Sequence, residues 1–128
     1  MQLLTNSKNM SNASYLTRED VIKLVSTNGA NLEGLNLSGL DLRDIDFSSV
    51  NLNRALLNNS RLTGANLTGA NLRNAALIEA NLKDAKIENA DLYEADLSKA
   101  FLCGANFRGA DLTYANLSYA GLCHFSTY

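Results

Sequence analysis

Large apolar residues recur at every fifth position along most of this chain. Leucine, isoleucine or phenylalanine occupies each such position from Leu32 to Leu122, and alanine stands two places earlier in twelve consecutive repeats from Ala65 to Ala120. An α-helix would spread this period around its whole circumference, and a strand would send alternate leucines to opposite faces. A chain that turns a corner every five residues can bury both positions. The pattern therefore predicts short extended segments that stack into a solenoid.

The residue two places after each apolar centre supports such a corner. It is glycine at 34, 39, 64, 69, 104 and 109, and asparagine or aspartate at 44, 59, 74, 84 and 89. The third residue of a type II turn needs a positive φ, which glycine adopts without steric cost and asparagine tolerates. We therefore expect a turn at this position of each pentapeptide.

The repeats resemble those of the pentapeptide-repeat family. Runs such as Ala65-Asn66-Leu67-Thr68-Gly69 and Ala90-Asp91-Leu92-Tyr93-Glu94 match the A(D/N)LXX motif, and nineteen units in register cover about three quarters of the chain. The resemblance implies an all-β solenoid, a right-handed quadrilateral β-helix with four pentapeptides per coil and about five coils. At the usual strand spacing of ~4.8 Å, this column would be roughly 23 Å tall.

The chain divides into four predicted segments: a flexible leader (1–14), an N-terminal capping helix (15–29), the β-helix (30–124) and a short tail (125–128). Thr17 and Asp20 have the spacing of a capping box, which predicts a helix from Arg18 to Thr27, and Asn28-Gly29 is typical of a helix stop.

The first coil departs from the pattern of alanine two places before each apolar centre. Its inward positions hold Leu35, Leu40, Ile45 and Val50. We interpret these larger residues as filling the space beneath the capping helix rather than as a ligand pocket. At the other end, a tail of four residues is too short for a capping helix. The last coil is therefore covered by Phe125 and Tyr128, or it pairs end to end with a second chain, and the protein is a monomer or a dimer accordingly.

Composition narrows the function classes. The formal net charge of −2 does not indicate a nucleic-acid-binding surface. The sequence has neither a run near the roughly 20 apolar residues of a membrane span nor a secretory signal, so we expect a bacterial cytoplasmic protein. The glycines follow the repeat, and nothing in the sequence predicts catalytic residues, a cofactor site or a metal site; we predict a protein without enzymatic activity.

Cys103 and Cys123 lie twenty residues apart and should stack on neighbouring coils. Their Cα atoms are expected near ~4.8 Å, but in-register stacking should keep their Cβ atoms about as far apart, which exceeds the usual separation in disulfides. We expect free thiols in a reducing cytoplasm. His124, the sole histidine, is interpreted as a solvated residue at the end of the repeat.

Binding to a protein partner is the favoured function, because outward positions are free to vary. The residue before each centre is usually polar in the family, yet Leu56, Ala76 and Phe101 occupy it here. Exposed apolar residues gathered on one side of a rigid column indicate a recognition surface. The predicted partner-binding patch is Leu56, Ala76, Ile78, Lys99, Phe101 and Tyr119, with Tyr119 stacked over Lys99 as a cation–π pair. Tyr93 is predicted to stack over Arg73 in the same way.

An alternative comes from family members that imitate duplex DNA and inhibit type II topoisomerases such as DNA gyrase. Duplex DNA carries one charge per ~1.7 Å, so a column of this height would need about 13 to 14 negative charges. Residues 30–124 hold eleven acidic and eight basic residues, a net charge of −3. The charge weakens this alternative, which would still hold if one face were strongly acidic.

Overall fold

The computed structural model describes residues 16–27 and 29–123. The predicted leader, Asn28, His124 and the predicted tail with Phe125 and Tyr128 lie outside the described residues.

Within the described residues, one helix, α1, spans Arg18–Val25. The predicted capping box is confirmed: the Asp20 amide donates to the Thr17 hydroxyl at 3.1 Å, and the Thr17 amide donates to the Asp20 carboxylate at 2.9 Å. The helix ends two residues earlier than predicted. Beyond it, the hydroxyls of Ser26 and Thr27 donate to the carbonyl oxygens of the last turn, where a helix leaves them unpaired.

Residues 30–123 form the predicted solenoid. Its strands are single-residue parallel bridges, and every bridge joins positions twenty residues apart, so one coil contains four pentapeptides. The bridges define four columns, which we call face 1 (31, 51, 71, 91, 111), face 2 (36, 56, 76, 96, 116), face 3 (41, 61, 81, 101, 121) and face 4 (46, 66, 86, 106). The right-handedness implied by the family resemblance stays a prediction.

Backbone hydrogen bonds join each coil to the next. The Leu32 amide donates to the Asn51 carbonyl at 2.7 Å, and the Asn51 amide donates to the Ala30 carbonyl at 3.0 Å. The same two bonds recur on each face. Each coil therefore uses its neighbour to satisfy the backbone groups that would otherwise be buried unpaired.

The interior contains the two apolar positions of the repeat. The centres from Leu32 to Leu97 are at most 1% exposed, and the alanines from Ala55 to Ala100 are buried beside them. Ser60 takes the place of an alanine and is equally buried; its hydroxyl donates to the Leu57 carbonyl at 2.8 Å, which satisfies the polar group.

The corners adopt the predicted positive φ, and they do so with residues that the sequence did not indicate. Gly34 has a φ of 72° and Asn74 a φ of 60°, as expected. Arg54, Glu79 and Tyr114 also have φ values near 60° at this position, because the coil demands the same turn whatever the side chain. Ladder bonds such as Arg54 N–H to Arg73 O, at 2.9 Å, compensate for this strain.

The end beneath α1 is packed with the larger inward residues of the first coil. Ile45 and Val50 are buried, and Leu35 and Leu40 are half-buried against the same core. Val21 of α1 is completely buried. This arrangement agrees with the interpretation of α1 as a cap.

The expectation of free thiols is wrong. Cys103 and Cys123 form a disulfide, with their Cα atoms 4.6 Å apart. This separation lies within the range that disulfides span, so in-register stacking brings the two sulfur atoms close enough to bond.

Candidate protein-binding surface

The lower part of the predicted patch lies on face 2. Leu56 and Ala76 are paired by a parallel bridge, and Ile78 follows the next centre on the same face. The Ile78 amide donates to the side-chain oxygen of Asn58 at 2.8 Å, which ties this coil to the one below. Leu56 is 41% exposed, whereas Ala76 and Ile78 are half-buried. The fold therefore brings these three side chains together on one flat side of the column.

The upper part of the patch lies around the corner between faces 2 and 3. Lys99 and Tyr119 occupy this corner on successive coils, and Phe101 begins the adjoining segment of face 3. Phe101 is 55% exposed and Tyr119 is 86% exposed. The six predicted residues thus lie on two adjoining faces, in two groups.

The apolar residues at this surface stand at positions where other repeats form a local side-chain hydrogen bond. At most positions before a centre, an asparagine or aspartate oxygen accepts the backbone amide two residues later, as Asn81 does from Lys83 at 3.1 Å. Leu56, Ala76 and Phe101 carry no side-chain oxygen and therefore cannot accept this hydrogen bond. The fold therefore gives no structural reason for apolar residues at these three positions, which is an argument for a role in binding.

The cation–π prediction is confirmed for one pair. Arg73 lies 4.3 Å from the centre of the Tyr93 ring, and its guanidinium donates to Asp91 at 3.0 Å. That hydrogen bond raises the pKa of Arg73 above its ordinary value. This is the sole cation–π contact among residues 16–27 and 29–123, so the predicted pairing of Lys99 with Tyr119 is wrong.

Sequence reasoning missed the exposed aromatic at the end of face 1. Tyr114 meets Tyr93 edge to face at 5.6 Å between ring centres, and it is 75% exposed. A tyrosine at a corner position, where glycine or asparagine is usual, was the available signal. The arginine and two tyrosines form a continuous stack along this face.

The last coil leaves part of the apolar interior open. Leu117 is 39% exposed and Leu122 is 75% exposed, although both occupy the centre position that is buried in the middle coils. A hollow of about 260 Å³ at this end is lined by Leu102, Phe107, Leu112, Leu117, Ala120 and Leu122. No sequence signal sets these leucines apart, because their motif is the same as in every other coil.

Every face carries both acidic and basic residues. Face 1, with its corner, is the most acidic, and it carries four acids against two bases: Glu33, Asp91, Glu94 and Asp111 against Arg54 and Arg73. Faces 3 and 4 each carry equal numbers of the two. The four faces together carry a net charge of −3, against about 13 to 14 negative charges on duplex DNA of this height.

Two further observations concern metals and membranes. Between residues 16 and 123, apart from Asn28, no three His, Cys, Asp or Glu side chains are grouped so that they could hold a metal ion. No helix in the same part of the chain is long and apolar enough to cross a bilayer.

The repeats match the family model for pentapeptide repeats over residues 28–64, 55–92 and 90–124. The chain therefore belongs to the pentapeptide-repeat family, and the sequence resemblance is confirmed. A comparison with curated proteins finds no match.

Solved structures of the same family resemble this chain. HetL, a pentapeptide repeat protein involved in heterocyst differentiation regulation from the cyanobacterium Nostoc, is 33% identical over 70% of this chain and 47% of its own, with a TM-score of 0.55. The Nostoc protein alr5209 is 28% identical over 86% and 88%, with a TM-score of 0.49. A protein of the Arabidopsis thaliana thylakoid lumen is 33% identical over 70% and 66%, with a TM-score of 0.40. The chain thus spans about half the length of HetL.

Proposed function

We propose that this chain is a non-enzymatic cytoplasmic scaffold of bacterial origin. In this proposal a right-handed quadrilateral β-helix of about five coils presents the patch Leu56, Ala76, Ile78, Lys99, Phe101 and Tyr119 to a protein partner. The repeat places these residues on a rigid support, which lowers the entropy lost on binding.

The observation that carries the proposal is the exposure of Leu56 and Phe101, at 41% and 55%. Each stands where an asparagine or aspartate would form a hydrogen bond, so each costs the fold a local interaction without burying its side chain. Aromatic residues are enriched in protein interfaces, which supports a binding role for Phe101 and Tyr119 beside Leu56.

Affinity purification from the native cell, followed by quantitative mass spectrometry, tests the patch. Leu56→Glu and Phe101→Glu should each reduce recovery of the partner at least about tenfold, because a buried interfacial anchor commonly contributes 2 kcal/mol or more. Lys86→Glu is the matched control. Lys86 occupies the same position before a centre on face 4, and it also lacks the local side-chain bond. Equal recovery by all four proteins would contradict the proposal.

A supercoiling assay with purified DNA gyrase separates this function from topoisomerase modulation by DNA mimicry. The small net charge of the column favours no inhibition at high micromolar protein. Inhibition that survives Leu56→Glu but is lost when acids of face 1 are replaced would support the mimic instead.

Self-association is a second part of the proposal. We infer that the protein forms an end-to-end dimer through the last coil, because the exposed Leu117 and Leu122 favour burial against a second copy. Sedimentation of the full chain should give a dimer, and Leu117→Lys should give a monomer. Ile22→Lys, at the opposite end and 42% exposed, should leave the dimer intact. A monomeric parent protein at high micromolar concentration would contradict this inference.

The cytoplasmic location can be tested through the cysteines. Disulfides are rare in reducing compartments. Trapping of thiols in intact cells measures whether the Cys103–Cys123 disulfide persists in the cell, and a bond that stays fully oxidised at rest would contradict a reducing cytoplasmic location.

A further inference from the structure

The disulfide joins the last two coils on face 3. Cys103 and Cys123 both follow a centre directly, at the position that Lys83 occupies one coil earlier. Both cysteines are half-buried, so a small thiol reagent can reach the bond from the outer surface. The chain has no further cysteine that could compete for the pairing.

The two segments that carry the cysteines lack the local tie that holds their neighbours. Phe101 and Gly121 stand before the centres here, and neither has a side-chain oxygen to accept the amide of Cys103 or Cys123. In the coil below, Asn81 provides this bond to Lys83 at 3.1 Å. The covalent link therefore occurs where two noncovalent ties are missing.

Apolar burial does little to hold the terminal segment 121–123. Leu62 and Leu82 on face 3 are at most 1% exposed, whereas Leu122 is 75% exposed and gains little from contact with the coil below. Two backbone hydrogen bonds remain: the Gly121 amide donates to the Ala100 carbonyl at 2.7 Å, and the Leu102 amide donates to the Gly121 carbonyl at 2.8 Å.

We propose that the Cys103–Cys123 disulfide is a redox-controlled clasp for the end of the solenoid. When it is oxidised, it holds segment 121–123 on the coil below and keeps Leu102 covered. Reduction by a dithiol transfers two electrons and two protons: the sulfur–sulfur bond breaks, Cys103 and Cys123 become thiols, and the reductant closes to its own disulfide. Segment 121–123 then detaches and uncovers Leu102. This inference does not depend on the proposed partner-binding patch.

Hydrogen exchange of the full chain, followed by NMR in oxidised and dithiothreitol-reduced samples, tests the clasp. The amides of Leu102 and Gly121 report directly on segment 121–123, because both bonds cross to it. Their protection should fall at least about tenfold on reduction, since the cross-link limits local opening. The Leu82 amide, which donates to the Phe101 carbonyl one coil earlier at 2.8 Å, should keep its protection.

The double variant Cys103→Ser, Cys123→Ser provides the control for effects of the reductant itself. It should show the reduced pattern both with and without dithiothreitol. Equal protection of Leu102 and Gly121 in the oxidised and reduced parent would overturn the proposal. A loss of protection that extends to Leu82 would also overturn it, because the disulfide would then stabilise the whole column rather than its end.

Discussion

The two ends of this solenoid differ in how far the apolar interior is covered and in what holds the end coil. At the N-terminal end, α1 places a completely buried Val21 over a first coil whose inward residues are larger than alanine. Arg18 ties the helix to that coil by donating to the Asp41 carbonyl at 3.0 Å. At the other end of residues 30–123, Leu117 and Leu122 are exposed, and a disulfide holds the last coil.

This difference shows that identical motifs have unequal energetic roles. A leucine in a pentapeptide stabilises the fold only if a neighbouring coil or a cap removes it from water, since the hydrophobic contribution follows the area buried. The repeat motif is the same whether or not such a neighbour exists. The stability of each unit therefore depends on its place in the stack.

A charged side chain placed at each end should give the largest difference in the free energy of unfolding between two variants. Val21→Asp should destabilise the protein by several kcal/mol, about 3 to 5, because it puts a carboxylate in a dry interface. At protein concentrations too low for the proposed dimer, Leu122→Asp should change the free energy of unfolding by less than about 0.5 kcal/mol, because the side chain of the single chain is mostly in water. Urea unfolding monitored by circular dichroism measures both. Similar losses in the two variants would contradict the contrast between the ends.

Truncation of equivalent leucines on face 2 should give the next largest difference in stability. Leu57→Ala removes a completely buried side chain and should cost about 2 to 5 kcal/mol, whereas Leu117→Ala should cost about 1 kcal/mol or less at protein concentrations too low for the proposed dimer. The same unfolding measurement applies. If Leu117→Ala cost as much as Leu57→Ala even at these low concentrations, the last coil would be covered within one chain, which would contradict the contrast between the ends. Repeating the measurement at high protein concentration, where the proposed dimer would bury Leu117, should raise the cost of Leu117→Ala.

The capping box contributes a smaller amount. Thr17→Ala removes the acceptor for the Asp20 amide and should destabilise the cap by about 1 kcal/mol. Hydrogen exchange should show the loss first in α1. Thr17→Ser keeps the acceptor and should behave like the parent; a loss as large as that of alanine would contradict a role for the hydroxyl.

The smallest effect concerns carboxylates near each end. The Arg43 side chain donates two hydrogen bonds of 2.7 Å to Asp41 and holds the pKa of that carboxyl well below its ordinary value. The Thr113 hydroxyl likewise lowers the pKa of Asp111. NMR titration should find that Arg43→Ala raises the pKa of Asp41 and Thr113→Ala raises that of Asp111. An unchanged pKa in either variant would refute the cause assigned to that carboxyl.

The sign of the pH dependence follows from these directions. A carboxyl whose pKa is lower in the folded state stabilises the protein above its unfolded value, near ~3.9 for aspartate. That contribution is lost as the pH falls through the folded pKa. Acid should therefore weaken the contacts of Asp41 and Asp111 only well below pH 4, with small effects because both side chains are at the surface.

Much of the fold could be predicted because a five-residue period permits few ways to bury its leucines. The capping box at Thr17 and the buried Ala and Leu columns follow from local spacing, whereas the coil of twenty residues was implied by the family resemblance. Positive φ at Glu79 or Tyr114 could not be predicted from those residues, because the stack imposes the turn and their own preferences oppose it. The patch was predictable only as a set of departures from the motif, and its binding role stays a prediction.

The sequence by itself determined the solenoid, its period and the outward or inward direction of each position, because these depend on spacing within a few residues. Tertiary structure decided what depends on neighbouring coils: the disulfide between Cys103 and Cys123, the edge-to-face contact of Tyr114 with Tyr93 and the exposure of Leu117 and Leu122. The physical reason is that burial, side-chain pairing and disulfide formation each need two surfaces in contact. The motif of a single repeat unit specifies only its own surface.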